Sequence, residues 1–263
     1  MTEAASAKLP YTELFYEHDG LRLQSYLFKP TIGGPFPLVI YNHGLRYGDE
    51  RAQRPFFYVA RLLTEAGYAV LVLERRGYGA SDGPTFREEV HGDYRDLFVA
   101  RVVAETGDAL AAIEAIDGEP EIDSSRIAMM GWSFGALVSV FAAARTDRLC
   151  AVINQAGGSL NFLRSSPLRD ALEASARVLK TPVYCMVATN DGTVDGARRV
   201  HKILDERAIP SKITVYPPFT PSQTIEGVAP GHLIFGAEGL PIWGRDVLAF
   251  LDTYCRTSAP PTM

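Results

Sequence analysis

Residues 127–144 read IAMMGWSFGALVSVFAAA. Four apolar residues run into Gly131-Trp132-Ser133-Phe134-Gly135, and a run of small and apolar residues follows. The first part is short and apolar at every position, as a strand buried on both faces must be. The second is long enough to be a buried helix. A serine between two glycines at such a junction has two readings. It caps a plain turn between strand and helix, or it is held on a sharp, strained turn that lifts its hydroxyl clear of a sheet. The second reading accounts for the spacing, because residues two positions either side of the serine come close together and both must be small. The helix N-terminus then directs free N–H groups at the serine oxygen. The N–H of Phe134 is placed to hold an oxyanion.

The pattern around this stretch decides the architecture. Residues 11–28 read as a hairpin, YTELFYE and LRLQSYLF about HDG. Apolar strands are expected over 36–42, 68–74, 126–131, 150–154, 182–188 and 212–217. Helical patterns lie between and after them, over 51–67, 93–116, 134–144, 168–179, 195–208 and 242–255. Alternation of uniformly apolar strands with helices implies a mostly parallel sheet with helices on both faces. The expected fold class is α/β: a three-layer α/β/α sandwich on an eight-stranded sheet, entered by an antiparallel hairpin. It is one domain over residues 1–263, with its core at about 11–255. The segment 155–181 holds only a loop and one helix, so no large lid domain is expected. Sites in such sheets lie outside the carboxyl ends of the strands, and polar residues just after a strand are the ones to read.

Composition narrows the class. A chain of 263 residues with 47% apolar and 22% charged residues can bury a large core. A net charge of −5, with no basic run interleaved with aromatics, argues against a nucleic-acid partner. No run approaches 18 apolar residues, so no membrane span is expected. The N-terminal MTEAASAKLP lacks the basic-then-apolar pattern of a secretion signal, and a cytoplasmic protein is expected. Cys150, Cys185 and Cys255 are odd in number and lack CxxC spacing, which argues against a disulfide framework and a zinc site. Cys185, inside PVYCMV, reads as a buried small hydrophobe.

A serine hydroxyl needs a base, usually a histidine oriented by a carboxylate. Of five histidines, His18 sits in a hairpin turn, His91 in a charged stretch and His201 within a helix. His43 directly follows strand 36–42 but precedes the serine. His232, in GVAPGHLIFG between the last strand and the last helix, follows Ser133 at the correct end of the sheet. For the acid, Asp191 follows the strand in PVYCMVATND directly. Asp195 lies four residues on, where it is expected to cap the next helix.

The order Ser133, Asp191, His232 is that of α/β-hydrolases. The chain resembles that superfamily, most nearly the dienelactone hydrolase-like and prolyl-oligopeptidase-like serine esterases. The resemblance rests on YNHG (41–44), ERRGYGASDG (74–83), GWSFG (131–135), ATNDGTV (188–194) and PGH (230–232). It implies that the residue after the His-Gly pair, Leu45, gives the second oxyanion N–H beside that of Phe134, and that His43 shapes this loop. Relatives carry Asp-x-x-Val in the acid loop, which Asp191 and Val194 match and which favours Asp191 over Asp195. Two departures matter. Dienelactone hydrolases use a cysteine nucleophile where this chain has Ser133, and HGLRYGDE is not a glycine-rich HGGG loop.

Gly77, Gly79 and Gly83 invite a dinucleotide reading, but their spacing is GxGxxxG and proline follows in place of a helix, so they are read as shaping a loop beside the site. Glu74 is expected to pair with Arg75 or Arg76. Tyr47, Trp132 and Phe219 are aromatics near the rim and the candidates for substrate contact, with core or loop packing as the plainer reading of each. The expectation is a serine hydrolase acting on a small-molecule carboxylic ester through an acyl-enzyme, without metal or cofactor. A prolyl-oligopeptidase-type peptidase is the second reading, set lower because no propeller-length extension accompanies the domain. Thioester hydrolysis and acyl transfer would use the same groups. A non-catalytic binding module would have no need of all three residues.

Overall fold

Strand β3 (Phe36–Asn42) is buried at every position, and its neighbours explain why. In the computed structural model, which describes residues 9–46, 48–91 and 94–256, it lies between two parallel partners, β4 (Ala69–Glu74) and β5 (Ile122–Trp132). The sheet continues in parallel through β6 (Leu149–Gln155), β7 (Val183–Ala188) and β8 (Ser211–Tyr216). On the other side the hairpin β1 (Thr12–His18) and β2 (Leu21–Phe28) closes the sheet antiparallel against β4. The spatial order is β1-β2-β4-β3-β5-β6-β7-β8, the eight-stranded sheet expected.

Successive side chains on a strand face opposite sides of the sheet, and both sides are covered here. Leu38, Ile40, Met129 and Val152 pack with α3 (Tyr94–Ala115), α4 (Phe134–Ala143), α5 (Ser166–Val178) and α6 (Asp195–Glu206). Val39, Tyr41, Met130 and Ile153 pack with α1 (Phe57–Glu65) and α7 (Leu240–Leu251). That double burial is the reason these strands lack an apolar-polar alternation. No helix among the described residues is long and apolar enough to cross a membrane.

Three expectations are corrected. Helix α1 begins at Phe57, not near residue 51. Pro55 disfavours helical backbone at the residue before it, and Arg51 and Arg54 instead bind the loop after β4. Arg51 donates to the Ser81 and Gly83 carbonyls at 2.7 Å, and the Arg54 N–H donates to Glu74 Oε1 at 2.7 Å. Second, a short helix α2 (Phe86–Glu89) does follow the glycine loop, capped by Thr85 with Glu88 reaching back. Third, Cys150 and Cys255 form a disulfide, with their Cα atoms 5.6 Å apart. An odd cysteine count leaves room for one pair. The fold brings the start of β6 against the turn Asp252–Arg256 that ends α7. Cys185 is free and buried, as expected.

Candidate active site

Ser133 stands between β5 and α4 with φ 58° and ψ −116°, a backbone that side-chain-bearing residues rarely adopt. Its N–H donates to the Gln155 carbonyl at 2.8 Å, which ties the turn to the end of β6. A Cβ on Gly131 would collide with the Gly135 carbonyl, and one on Gly135 with the Asn42 carbonyl. The two glycines therefore serve different approaches. The first lets the turn close on itself, and the second lets α4 enter against the end of β3.

Asp191 and His232 come to this serine from two further loops. His232 Nε2 lies 2.8 Å from Ser133 Oγ. Its Nδ1 lies 3.1 and 3.0 Å from the two carboxylate oxygens of Asp191. The Asp191 side chain is fully buried, and Gly192 N–H donates to its Oδ1 at 2.6 Å. The histidine loop is pinned from both sides. Trp132 Nε1–H donates to the His232 carbonyl at 3.0 Å, and the indole lies 5.7 Å from the imidazole, centre to centre. Gly231 abuts Asn190 and Asp191 so closely that a Cβ there would collide with both.

Asp195 takes no part in this arrangement. It is exposed and sits in the first turn of α6, where its N–H, not its carboxylate, makes the local bond, donating to Thr193 Oγ1 at 3.1 Å. The expectation that its side chain caps the helix is corrected as well, since Val194 holds that position.

Beside Ser133 opens a cavity of about 310 Å³. Leu45, Phe134 and Trp132 line it, as do Phe56, Phe98, Leu137, Leu160, Ile225, Val228 and Leu233. Phe134 packs its ring edge-on to Phe86 and Phe98 at 5.6 and 5.3 Å. Phe219 is a correction: it is buried in the core and absent from this lining. Its backbone is clasped by Asn190, whose amide donates to the Phe219 carbonyl and accepts from its N–H, both at 2.9 Å. It therefore steadies the acid loop. Tyr47 lies outside the described residues.

Beneath the Leu45 loop lies a buried network of charges. Glu74 pairs with Arg46, not with either arginine that follows it. Arg75 instead bonds Glu105 at 2.5 Å, and Arg76 bonds Asp108 at 2.6 Å. Burial raises the Glu74 carboxyl above its usual range, against the pull of Arg46. His43 is wholly buried, stacks on Phe56 and holds the Gly44 carbonyl through Nδ1 at 2.6 Å. Burial, then the cations Arg75 and Arg46, hold its imidazole well below the ordinary histidine range. His43 is thus kept neutral and shapes the loop.

One polar group at the site was missed by the sequence reading. Ser159, in the loop after β6, is 4% exposed and reaches both Asp191 and His232. The signal was available, because NQAGGS places a serine just past a strand's carboxyl end.

A family model described as X-Pro dipeptidyl-peptidase (S15 family) matches residues 19–163. The chain belongs to this family. The S15 match takes in the Leu45 loop and the Ser133 turn and ends before Asp191 and His232. In sequence, the S15 chain is 31% identical over 140 residues to the quorum-quenching protein AidA of Acinetobacter baumannii, a match over 53% of this chain and 41% of that protein. It thus spans about two-fifths of the curated relative's length. In structure it is similar to an acylaminoacyl peptidase of Pyrococcus horikoshii, with TM-score 0.72 and 17% identity over 96% of this chain and 43% of that one. It is also similar to an esterase of Pyrococcus furiosus, with TM-score 0.67 and 17% identity over 94% of this chain and 92% of that one. At that identity the structural matches speak to the fold, which is the α/β-hydrolase fold expected. The family is described as a peptidase, and the two structural neighbours are a peptidase and an esterase.

Proposed function

We propose that this protein cleaves carboxylic esters of apolar acids by an acyl-enzyme route. Ser133 Oγ attacks the acyl carbonyl while His232 Nε2 takes its proton. The oxyanion that forms is held by the backbone N–H groups of Leu45 and Phe134, each such donor being worth about 3–4 kcal/mol. The carbonyl re-forms as the ester C–O bond breaks, and His232 returns its proton to the departing alkoxide. Water then repeats the sequence on the acyl-serine, releasing the acid and restoring Ser133. Asp191 holds the imidazole with its proton on Nδ1 and balances the charge that develops on it.

The observation that carries the ester reading is the cavity lining. Release of a dipeptide from a free N-terminus requires a carboxylate to receive an ammonium group. Among the described lining residues the one acid is Asp49, and it is already paired with Arg54. Arg46 is paired with Glu74. Apart from the neutral side chains of Ser159 and Asn161, the rest of the lining around Ser133 and His232 is aromatic, aliphatic or glycine, suited to a neutral acyl group. The family description favours a peptidase as the second reading, one acting on X-Pro dipeptides in place of the prolyl-oligopeptidase type.

A fluorophosphonate probe tests the chemistry: the wild type should label and Ser133→Ala should not. Failure of a folded wild type to label would sink the serine hydrolase reading. Comparison of p-nitrophenyl esters with X-Pro anilides then tests specificity. The expected kcat/KM favours medium-chain esters by orders of magnitude, and a preference for the anilides would overturn the ester proposal in favour of the peptidase.

A further inference from the structure

Resting on that reading of Ser133, Asp191 and His232, we infer that Ser159 is a positioning residue for the base, a fourth member of the relay that fixes which nitrogen of His232 carries the proton. Ser159 Oγ lies 2.9 Å from Asp191 Oδ1 and 3.0 Å from His232 Nδ1. A hydroxyl has one proton to give. The carboxylate can only accept, so the proton goes to Asp191 and a lone pair is left facing Nδ1. Nδ1 is then surrounded by acceptors: Asp191 Oδ1 at 3.1 Å, Asp191 Oδ2 at 3.0 Å and the Ser159 oxygen. Every one of them favours a proton on Nδ1. The Nε2 lone pair is thereby left free for the Ser133 proton 2.8 Å away.

The placement of Ser159 is built into the fold. The loop turns out of β6 through Ala156 at φ 57° and Gly158 at φ 78°. Gly157 N–H donates to Asn154 Oδ1 at 3.0 Å, and Ser159 N–H donates to the Ala156 carbonyl at 3.2 Å. From the other side the acid loop presses on it. A Cβ at Gly192 would lie 2.7 Å from the Ser159 carbonyl oxygen. The two loops thus meet backbone to backbone, and the hydroxyl is delivered to one place. The resulting geometry also steadies Asp191, whose Oδ1 accepts from both Ser159 and Gly192.

The test compares Ser159→Ala and Ser159→Thr with the wild type and Ser133→Ala, all in the full chain. Removal of the hydroxyl should lower kcat on a p-nitrophenyl ester by about tenfold or more, the scale on which misplaced reacting groups are felt, with KM within about twofold. The rate of fluorophosphonate labelling should fall in parallel. Nitrogen-15 shifts of His232 should move from a single Nδ1–H tautomer in the wild type to a mixture in Ser159→Ala. Ser159→Thr, which keeps the hydroxyl, should restore the wild-type shifts. A folded Ser159→Ala that labels at the wild-type rate with unchanged His232 shifts would overturn the inference while leaving the triad intact. A loss of kcat with unchanged shifts would also overturn it, because the hydroxyl would then act through packing. A wild type that does not label would instead sink the reading of Ser133 itself.

Discussion

Asp191 and Asp195 stand four residues apart, yet one has a side chain closed off from water against His232 and the other is exposed on a helix. Their replacements should differ accordingly. Asp191→Asn is expected to lower ester turnover by about 10⁴-fold, the cost of losing the correct histidine tautomer. Asp195→Asn should stay within about twofold of wild type, because the group it alters faces solvent. Steady-state kinetics on one ester decides between them, and equal losses would show that Asp191 is not the carboxylate that orients His232. His43 makes a second residue-scale prediction. The folded state keeps it neutral through burial and the cations Arg75 and Arg46, whereas the unfolded chain protonates it below about pH 6.5. The unfolded state therefore binds more protons in that range, and the His43 contribution to stability is lost as pH falls. Glu74, held high by burial, acts in the opposite sense, so the comparison must be made against His43→Gln. Urea titrations between pH 7.5 and 5.5 should show stability falling with pH more steeply in the wild type, by up to about 1.4 kcal/mol per pH unit. Equal slopes would mean that His43 titrates freely.

Between elements, the decisive feature is the close passage of α4 over the end of β3. Gly135→Ala should cost about 3 kcal/mol or more, because its methyl would enter the Asn42 carbonyl and neither backbone can yield cheaply. Denaturant unfolding measures this directly, and a loss under 1 kcal/mol would mean that the elbow relaxes. The elements were legible in the sequence where they are buried twice over. FPLVIYN and YAVLVLE declare themselves as strands because no face is left for a polar residue. The start of α1 differs from the expected one because the apolar spacing of Phe56, Val59 and Leu63 begins only after Pro55, and the four residues before that proline carry no helical period. Helix α2 is marked in the sequence by Thr85-x-x-Glu88, a capping box. At the site, Ser133, Asp191 and His232 could be picked because each follows a strand at the functional edge. Phe219 could not be excluded on the same grounds, since its position in the loop carries no sign of which way Asn190 turns it. The partner of Glu74 was equally hidden, because Arg46 is brought to it by a loop from another strand.

Across the whole molecule, the Cys150–Cys255 bond joins β6 to the turn that ends α7 across 105 residues of sequence. Closing a loop of that length in the unfolded chain is worth up to about 4–5 kcal/mol, with about 2–4 typical of measured disulfides. Cys255→Ser is therefore expected to lower unfolding stability by about 2–4 kcal/mol while the purified enzyme keeps its activity at 25 °C, since neither sulfur approaches Ser133. Thermal melts with and without reductant check this, and reductant-insensitive melts would show the bond absent in solution. The bond was invisible to spacing rules, which read neighbours along the chain and not the meeting of a strand's start with a helix's end.

The same bond sets a covalent topology for the site. The ring it closes contains Asp191 and His232, while Ser133 hangs outside it. Residues 222–227, exposed on the loop that also brings Ile225 to the cavity, lie within the ring. A protease that cuts there would part the nucleophile from its base along the chain, yet leave both in one molecule joined through sulfur. The nicked protein should migrate as one species on a non-reducing gel and as two after thiol treatment.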